Sequence, residues 1–283
     1  MNELLYDKMR MVSTNEWLAG LLRDTDKFEW CAALPSLPDE QFQRRFVGRA
    51  YSEAMQQAFD AVEEFRQGLA RLGCQFDEDA VALDFGCGWG RISQTMYRYF
   101  RPYNIISADI QSDAVDFCFK SGLATKIIQV YDNNLHQILN ESVDCIFAYS
   151  VFSHLSENAA NIWIKEFVRI LKPGGAIAVT TRAPSIIRHA LNLLKLPKQE
   201  IPLHGRGLIE AFFDADKALE EYNDGVFVYR DYPHPTKSGV DYGEAIIPEH
   251  YVANVWLPIF GGGYSFLPPV RTLDQAIIFL RKL

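Results

Sequence analysis

The segment VALDFGCGWGR, Val81 to Arg91, sets Gly86, Gly88 and Gly90 on alternate positions just after a β-rich run that ends in Asp84. Glycine lets a backbone turn sharply and approach a ligand where a Cβ would collide. A glycine loop that closes a strand and opens a helix therefore suits a nucleotide-like ligand. The dinucleotide fingerprint GxGxxG needs Gly or Ala at position 91, where Arg91 stands, and no GKS or GKT follows the glycines as a P-loop requires. The loop favours a ligand with adenosine but no pyrophosphate. A second candidate is His154 in FSHL, since an imidazole titrates near neutrality and can deprotonate a hydroxyl or an amine. The competing reading is a histidine that orders its loop through the backbone, for the sequence supplies no partner to orient it.

The elements that must position these residues follow from periodicity. After Ala80, β-rich runs begin at Val81, Asn104, Lys126, Val143 and Ala176 and alternate with amphipathic stretches such as Ile162 to Leu171. Strands alternating with helices imply a parallel sheet covered on both faces, an α/β doubly wound fold. KPGG, Lys172 to Gly175, reads as the turn that stops a helix before the fifth strand. Upstream, Tyr51, Met55, Phe59, Val62, Phe65, Leu69 and Leu72 recur three or four apart and mark one stripe of a long helix. Residues 183–241 break the alternation with two expected helices, around Ile186 to Leu196 and Leu208 to Tyr222, and a strand from Gly225. So long a stretch is a folded insertion rather than a loop. A helix near Glu249 to Trp256 and strands near Tyr264 to Val270 and Gln275 to Arg281 complete the fold. The expected division is an N-terminal helical cap over 1–79, a Rossmann-like domain over 80–182 and 242–283, and a substrate-side insertion or lid over 183–241.

Composition narrows the function. The chain has 283 residues, 48% hydrophobic and 23% charged, as a soluble globular protein has. Its formal charge of −8 has the wrong sign for gripping phosphate backbones, which disfavours nucleic acid as a partner. Five scattered cysteines without a CxxC pair suit a reducing cytoplasm. Glu3 and Asp7 stand where a signal peptide would be basic and then apolar. Between Tyr251 and Val270 no charge occurs, yet Pro258, Pro268, Pro269 and three glycines would break a membrane helix, so no span is expected. His189, His204, His234 and His250 lie fifteen, thirty and sixteen residues apart, which matches no common zinc spacing, and no metal is expected.

With Asp109 ending the second strand, DNN (Asp132 to Asn134) after the third, VDCIFAYSVFSHL across the fourth and LKPGG before the fifth, the stretch Ala80 to Arg182 resembles the class I S-adenosylmethionine-dependent methyltransferases. The ending from Tyr242 to Leu283 resembles that family's closing helix and antiparallel strand pair. The resemblance implies a mainly parallel seven-stranded sheet with an antiparallel last strand, and S-adenosylmethionine as cofactor. Asp84 would orient the methionine part, Gly86 and Gly88 would leave room for it, and Phe85, Cys87 and Gly90 complete the lining loop. Asp109, nineteen residues past Gly90, would accept hydrogen bonds from the ribose hydroxyls. Ile110 would pack on adenine, Asp132 or Asn133 would meet its amino edge, and Ser150 and Val151 would lie beneath the amino group and sulfonium. Cys87 and Trp89 fill space rather than react. The N-terminal region and the insertion lie outside the resemblance.

The implied activity is methyl transfer to an oxygen or nitrogen of a small molecule or saccharide, with His154 as the candidate base. A protein or peptide acceptor and a catalytically silent cofactor-binding module are the alternatives. The insertion contributes His189, His204, His234, Tyr222, Phe227, Tyr229 and Tyr232, with Tyr242 and His250 close behind, as groups suited to a small polar or aromatic acceptor; Phe212 and Phe213 are assigned to its own core. RRFVGR, Arg44 to Arg49, is either a solvated basic face or a flap over the cofactor.

Overall fold

The computed structural model describes residues 3–23, 28–231 and 243–283. Tyr232, His234 and Tyr242 lie outside the described residues, as does the side chain of His204. The chain opens with helices α1 (Glu3–Met11), α2 (Thr14–Leu21), α3 (Glu40–Val47) and the long α4 (Tyr51–Arg71). Then follow β1 (Ala82–Phe85), α5 (Arg91–Thr95), β2 (Ile105–Asp109), α6 (Ser112–Lys120), β3 (Lys126–Gln129), β4 (Val143–Ala148), α7 (Glu157–Ile170) and β5 (Leu171–Thr181). Helices α8 (Ser185–Leu193), α9 (Leu203–Ala211) and α10 (Ala215–Asn223) precede the strands β6 (Val228–Asp231) and β7 (Gly243–Ile246). A final helical run has α11 (Glu249–Tyr251), a π-helical turn (Val252–Trp256) and α12 (Leu257–Phe260), and leads into β8 (Gly261–Leu267) and β9 (Ala276–Lys282).

The main sheet has the order β3-β2-β1-β4-β5-β9-β8. Strands β1 to β5 are mutually parallel, and β9 runs antiparallel to both β5 and β8. This is the seven-stranded, mainly parallel α/β sheet with an antiparallel last strand that the sequence implied. Every residue of β1 and β2 is buried, as strands covered on two faces must be. One face carries α4, α5 and α6, where Phe65, Phe100, Phe147 and Phe279 share a core that continues through Trp17 and Trp30 of the N-terminal region. The other face carries α7 and the final helical run, where Phe85, Trp163, Phe167, Trp256 and Phe260 pack.

Several local boundaries differ from expectation. Strand β5 begins at Leu171, so KPGG is its bulged first part rather than a turn before it: Val143 pairs with Leu171, and the register shifts before Cys145 meets Ala176. The helix expected over Leu208 to Tyr222 is two helices, because Asp214 accepts the Lys217 amide proton and starts α10 anew. Phe213 falls in that joint and is 85% exposed, whereas Phe212 is buried with Ile187, Leu208 and Val228. Residues Gly243–Ile246 pair with β6 in a separate two-stranded sheet, so the return to the main sheet comes after Ile246.

Helix α4 reaches the sheet at Gly68, where a Cβ would fall 2.1 Å from Phe279 Cζ on β9. Alanine gains about 0.5–1 kcal/mol of helix propensity at such a site, while overpacking a tight contact costs about 1–3 kcal/mol. Gly68→Ala is therefore expected to lower the urea midpoint of unfolding; an unchanged or raised midpoint would show that Phe279 yields without strain.

Candidate active site

The loop from β1 to α5 is held by its neighbour strand. The amides of Gly86 and Cys87 both donate to Ala108 O, at 2.8 and 3.1 Å. The Gly88 amide donates to Asp109 Oδ2 at 2.7 Å, and the Gln111 amide donates to Asp109 Oδ1 at 2.8 Å. Asp109 thus presents a buried carboxylate with both oxygens fixed by backbone amides. Gly86 and Gly88 have φ of 74° and 53°, in the left-handed region where a side chain is strained. A Cβ on Gly86 would lie 2.3 Å from Val151 Cγ2, so this loop and the one after β4 meet without room for another methyl group.

Asp84 lies below the loop. Its Oδ2 accepts from Ser93 Oγ of α5 at 2.5 Å, and the hydroxyls continue through Ser107 to Thr125. Burial pushes the Asp84 carboxyl up to about 7, against the opposing pull of the Ser93 hydrogen bonds and the Arg91 charge. Phe85 faces the opposite core, against Trp163 and Phe167, so only its backbone belongs to the loop. The Cys87 thiol is raised by its hydrogen bond with Cys118 and by burial, which suits a space-filling thiol rather than a nucleophile. Gly90 caps α5.

Beyond β4, Ser150 adopts φ 60°, with its amide donating to Thr180 Oγ1 at 2.7 Å and its Oγ accepting from Gln275 Nε2 at 2.9 Å. Gln275 Oε1 and the adjacent Tyr149 Oη are buried without a hydrogen-bond partner among the described residues. Burial pushes the Tyr149 phenol up to about 12, while the Arg91 charge pulls it down. His154 Nδ1 lies 2.8 Å from Gly243 O and 3.7 Å from Glu244 Oε1. Arg182 Nε donates to Glu244 Oε2 at 2.7 Å. The orienting groups that the sequence did not reveal for His154 therefore come from β7 and the end of β5. Glu244 had one signal: a single acid in the apolar run GEAII.

The loops after β1, β2 and β4 thus bring Gly86, Gly88, Asp109, Ser150, Val151 and His154 to the carboxyl edge of the sheet. Ile110 stands beside Asp109 and is 45% exposed. Asp132 and Asn133, with φ of 55° and 53°, are exposed central residues of a tight turn in which Tyr131 bridges Asn134. Consecutive positive φ values explain the Asp and Asn there by turn chemistry alone. The RRFVGR segment covers the loop in part. Phe46 of α3 would be 3.3 Å from a Cβ on Gly88, and Arg45 pairs with Asp113 of α6 while lying over the rings of Phe42 and Phe46.

The glycine cradle and the fixed carboxylate fit an adenosine-bearing ligand without pyrophosphate, since room is left where side chains would intrude and an acceptor pair stands one strand away. Residues 83–179 match the model of a family described as methyltransferase domain. The chain carries a methyltransferase domain over those residues. A malonyl-[acyl-carrier protein] O-methyltransferase of Priestia megaterium is 19% identical over 159 residues, 56% of this chain and 57% of that protein. A fatty-acid O-methyltransferase of Mycolicibacterium smegmatis is 28% identical over 116 residues, 38% of this chain and 39% of that protein. The chain thus spans about half the length of these relatives. Among solved structures, a SAM-dependent methyltransferase of Aquifex aeolicus has a TM-score of 0.47 and 15% identity, covering 87% of this chain and 100% of that one.

Two outcomes follow for this methyltransferase domain. Gly86→Ala adds a strained φ and a contact with Val151, and is expected to weaken S-adenosylhomocysteine binding by about tenfold or more in calorimetry. Adding Val151→Ala should recover the steric part of that loss; full affinity in the single variant would remove Gly86 from the cradle. For Asp84, the folded chain holds a proton that the unfolded chain releases between the ordinary carboxyl range and about pH 7. Its contribution to stability is complete below that window and lost as pH rises through it. Asp84→Asn should therefore raise the melting temperature relative to the parent more at pH 8 than at pH 4. Equal differences at the two pH values would count against a buried, proton-holding Asp84.

Proposed function

We propose that this protein transfers a methyl group from S-adenosylmethionine to an oxygen or nitrogen of a small-molecule or saccharide acceptor at the carboxyl edge of its sheet. The observation that carries the reading is Asp109, a fixed buried carboxylate bonded to the glycine loop. In this reading Asp109 accepts from the ribose hydroxyls, Gly86 and Gly88 admit the cofactor's backbone-side contacts, and Asp84 acts from beneath through the loop it supports. Ile110 covers adenine, Asp132 or Asn133 meets its edge, and Ser150 and Val151 lie under the amino group and sulfonium. When bound, the cofactor supplies an electrophilic methyl group on a sulfonium that departs as a neutral thioether.

What the chain itself must do is align the acceptor, exclude water and remove a proton where the acceptor has one. His154 is the candidate for the last task, and Phe46 on α3 for excluding water over the loop. Oxygen is the favoured nucleophile atom because both named relatives are O-methyltransferases. The small acceptor is supported by the name of the fatty-acid relative and by the chain's charge of −8, which opposes a polyanion. A reducing, cytoplasmic setting belongs to the reading too, supported by five free cysteines. No described helix is long and apolar enough to cross a membrane, and no described cluster of three or more His, Cys, Asp or Glu could hold a metal.

Calorimetry with S-adenosylmethionine, S-adenosylhomocysteine and NAD tests the cofactor, and a transfer assay corrected for hydrolysis over a metabolite library tests the acceptor. Asp109→Ala is expected to cost at least about tenfold in S-adenosylhomocysteine affinity, the worth of one or two charge-assisted hydrogen bonds. Binding of NAD without S-adenosylmethionine would overturn the proposal.

A further inference from the structure

Three groups that no cofactor motif uses are gathered at the edge of the insertion: His154 after β4, Arg182 after β5 and Glu244 on β7. The frame that holds them is backbone. Gly243 N donates to His154 O at 3.1 Å, Ala245 N donates to Ser153 O at 2.8 Å, and Arg182 N donates to Ala245 O at 3.2 Å. Thr181 adds a clamp, with Oγ1 donating to Ala245 O and accepting from Ile247 N at 3.0 Å. Strand β7 is thereby tied to the ends of both β4 and β5.

We infer that Glu244 is a positioning residue that, with Arg182 behind it, keeps His154 as a base with its lone pair on Nε2, so that the site takes acceptors that must lose a proton. This rests on the reading of His154 given above. Gly243 O can only accept, so the 2.8 Å contact requires a proton on Nδ1, and the neutral ring then carries its lone pair on Nε2. Glu244 is fully buried, and its two oxygens divide their work: Oε2 accepts from Arg182 at 2.7 Å while Oε1 faces Nδ1 at 3.7 Å. A buried carboxylate needs such a cation to stay charged, and once charged it stabilises the imidazolium formed when Nε2 takes a proton. For a hydroxyl acceptor the O–H bond breaks, the proton goes to Nε2, and the electron pair stays on oxygen to form the bond to the methyl carbon. For an amine the nitrogen lone pair forms that bond, and the N–H bond then breaks with its proton going to Nε2 and its pair left on nitrogen. The bond from that carbon to sulfur breaks with its pair left on sulfur.

Arg182 is the natural receptor for a carboxylate acceptor, yet its Nε is committed to Glu244. A carboxylate has no proton for His154 to take. Alcohols, phenols and amines are the acceptors this arrangement serves, unlike the malonyl and fatty-acid acceptors in the names of the two relatives, from which only the oxygen nucleophile is carried over. Glu244 from β7 lies against His154, and Arg182, just past β5, lies against Glu244. Farther off, around Tyr149 at the end of β4, stand Arg91 from α5, Arg49 ahead of α4 and Asp274 ahead of β9.

The test reads the ring itself. Nitrogen-15 NMR of the full chain, with His154→Gln assigning the signals, should show the Nδ1–H tautomer in the neutral form. Glu244→Gln should lower the titration midpoint of His154, and Arg182→Gln should lower it too, because Glu244 without its cation takes up a proton and loses the charge that stabilises the imidazolium; each shift is about half a pH unit or more. Should Glu244→Gln fail to fold, Arg182→Gln decides alone: a lowered midpoint supports the inference, and an unchanged or raised one overturns it. With any acceptor from the metabolite library, the acidic limb of kcat/KM should move with the midpoint in each variant; a limb that stays put while the midpoint moves also overturns it. Rapid methylation of a simple fatty acid with no hydroxyl or amine would do the same. Failure to bind S-adenosylhomocysteine would instead sink the proposed function, whereas intact binding with unmoved midpoints would sink this inference alone.

Discussion

By accepting the Gly88 amide proton, the Asp109 carboxylate, itself fixed by the Gln111 amide, hangs the loop after β1 from the end of β2. Ala108 O adds two more amides from the same loop. Parallel pairing of Phe85 with Ala108 brings the two strand ends level, so short side chains and bare backbone suffice to join them. Position then passes to β4, because Gly86 meets Val151 with no space between. Three strand ends are locked together by one carboxylate, one carbonyl and one missing Cβ. A longer acid at position 109 or any side chain at 86 would have to move all three.

The polar groups beneath and beside this lock are treated unequally. Asp84 is buried but has Ser93, and the hydroxyl chain to Thr125 extends its hydrogen bonding across β2. Tyr149 Oη and Gln275 Oε1, by contrast, are buried without partners at the very edge where β4 ends, and Trp89 Nε1 in the glycine loop is in the same position. An unsatisfied buried group costs about 1–3 kcal/mol. Such costs are tolerated where a protein serves something other than its own stability, and Tyr149 and Gln275 flank Ser150, a non-glycine residue at φ 60°.

The sheet was legible because its inner strands are buried on both faces and therefore appear as short apolar runs, and the edge strand β3, only partly buried, still keeps one. VALD, NIISAD and KIIQV mark β1, β2 and β3 within a residue or two. Helix α4 was legible from its stripe, all but Tyr51 of which lies against the body. KPGG misled because proline and glycine usually punctuate, whereas here a bulge lets them enter the strand. Phe213 misled because periodicity cannot see a break between two helices that share one apolar pattern. In the site, the residues on continuous motifs could be named, yet their surroundings could not. The partners of His154 lie roughly ninety positions away, as the 89-residue separation from Gly243 shows, and no local pattern encodes a contact at that range.

That separation also changes what the insertion is. Had it folded as a cover alone, its contacts with the sheet would be apolar, as the interior of α8, α9 and α10 is. Strand β7, which follows it, instead forms hydrogen bonds to Ser153, His154 and Arg182 and places a fully buried acid between an imidazole and a guanidinium. A buried ion pair is a poor source of stability, since desolvation consumes most of its attraction. An apolar residue at position 244 would close the same strand pairing without that cost. On the proposed reading of His154, the charged trio at the joint is explained better by what it does to that imidazole than by what it does for the fold, and the strand after the insertion belongs with the proposed chemistry.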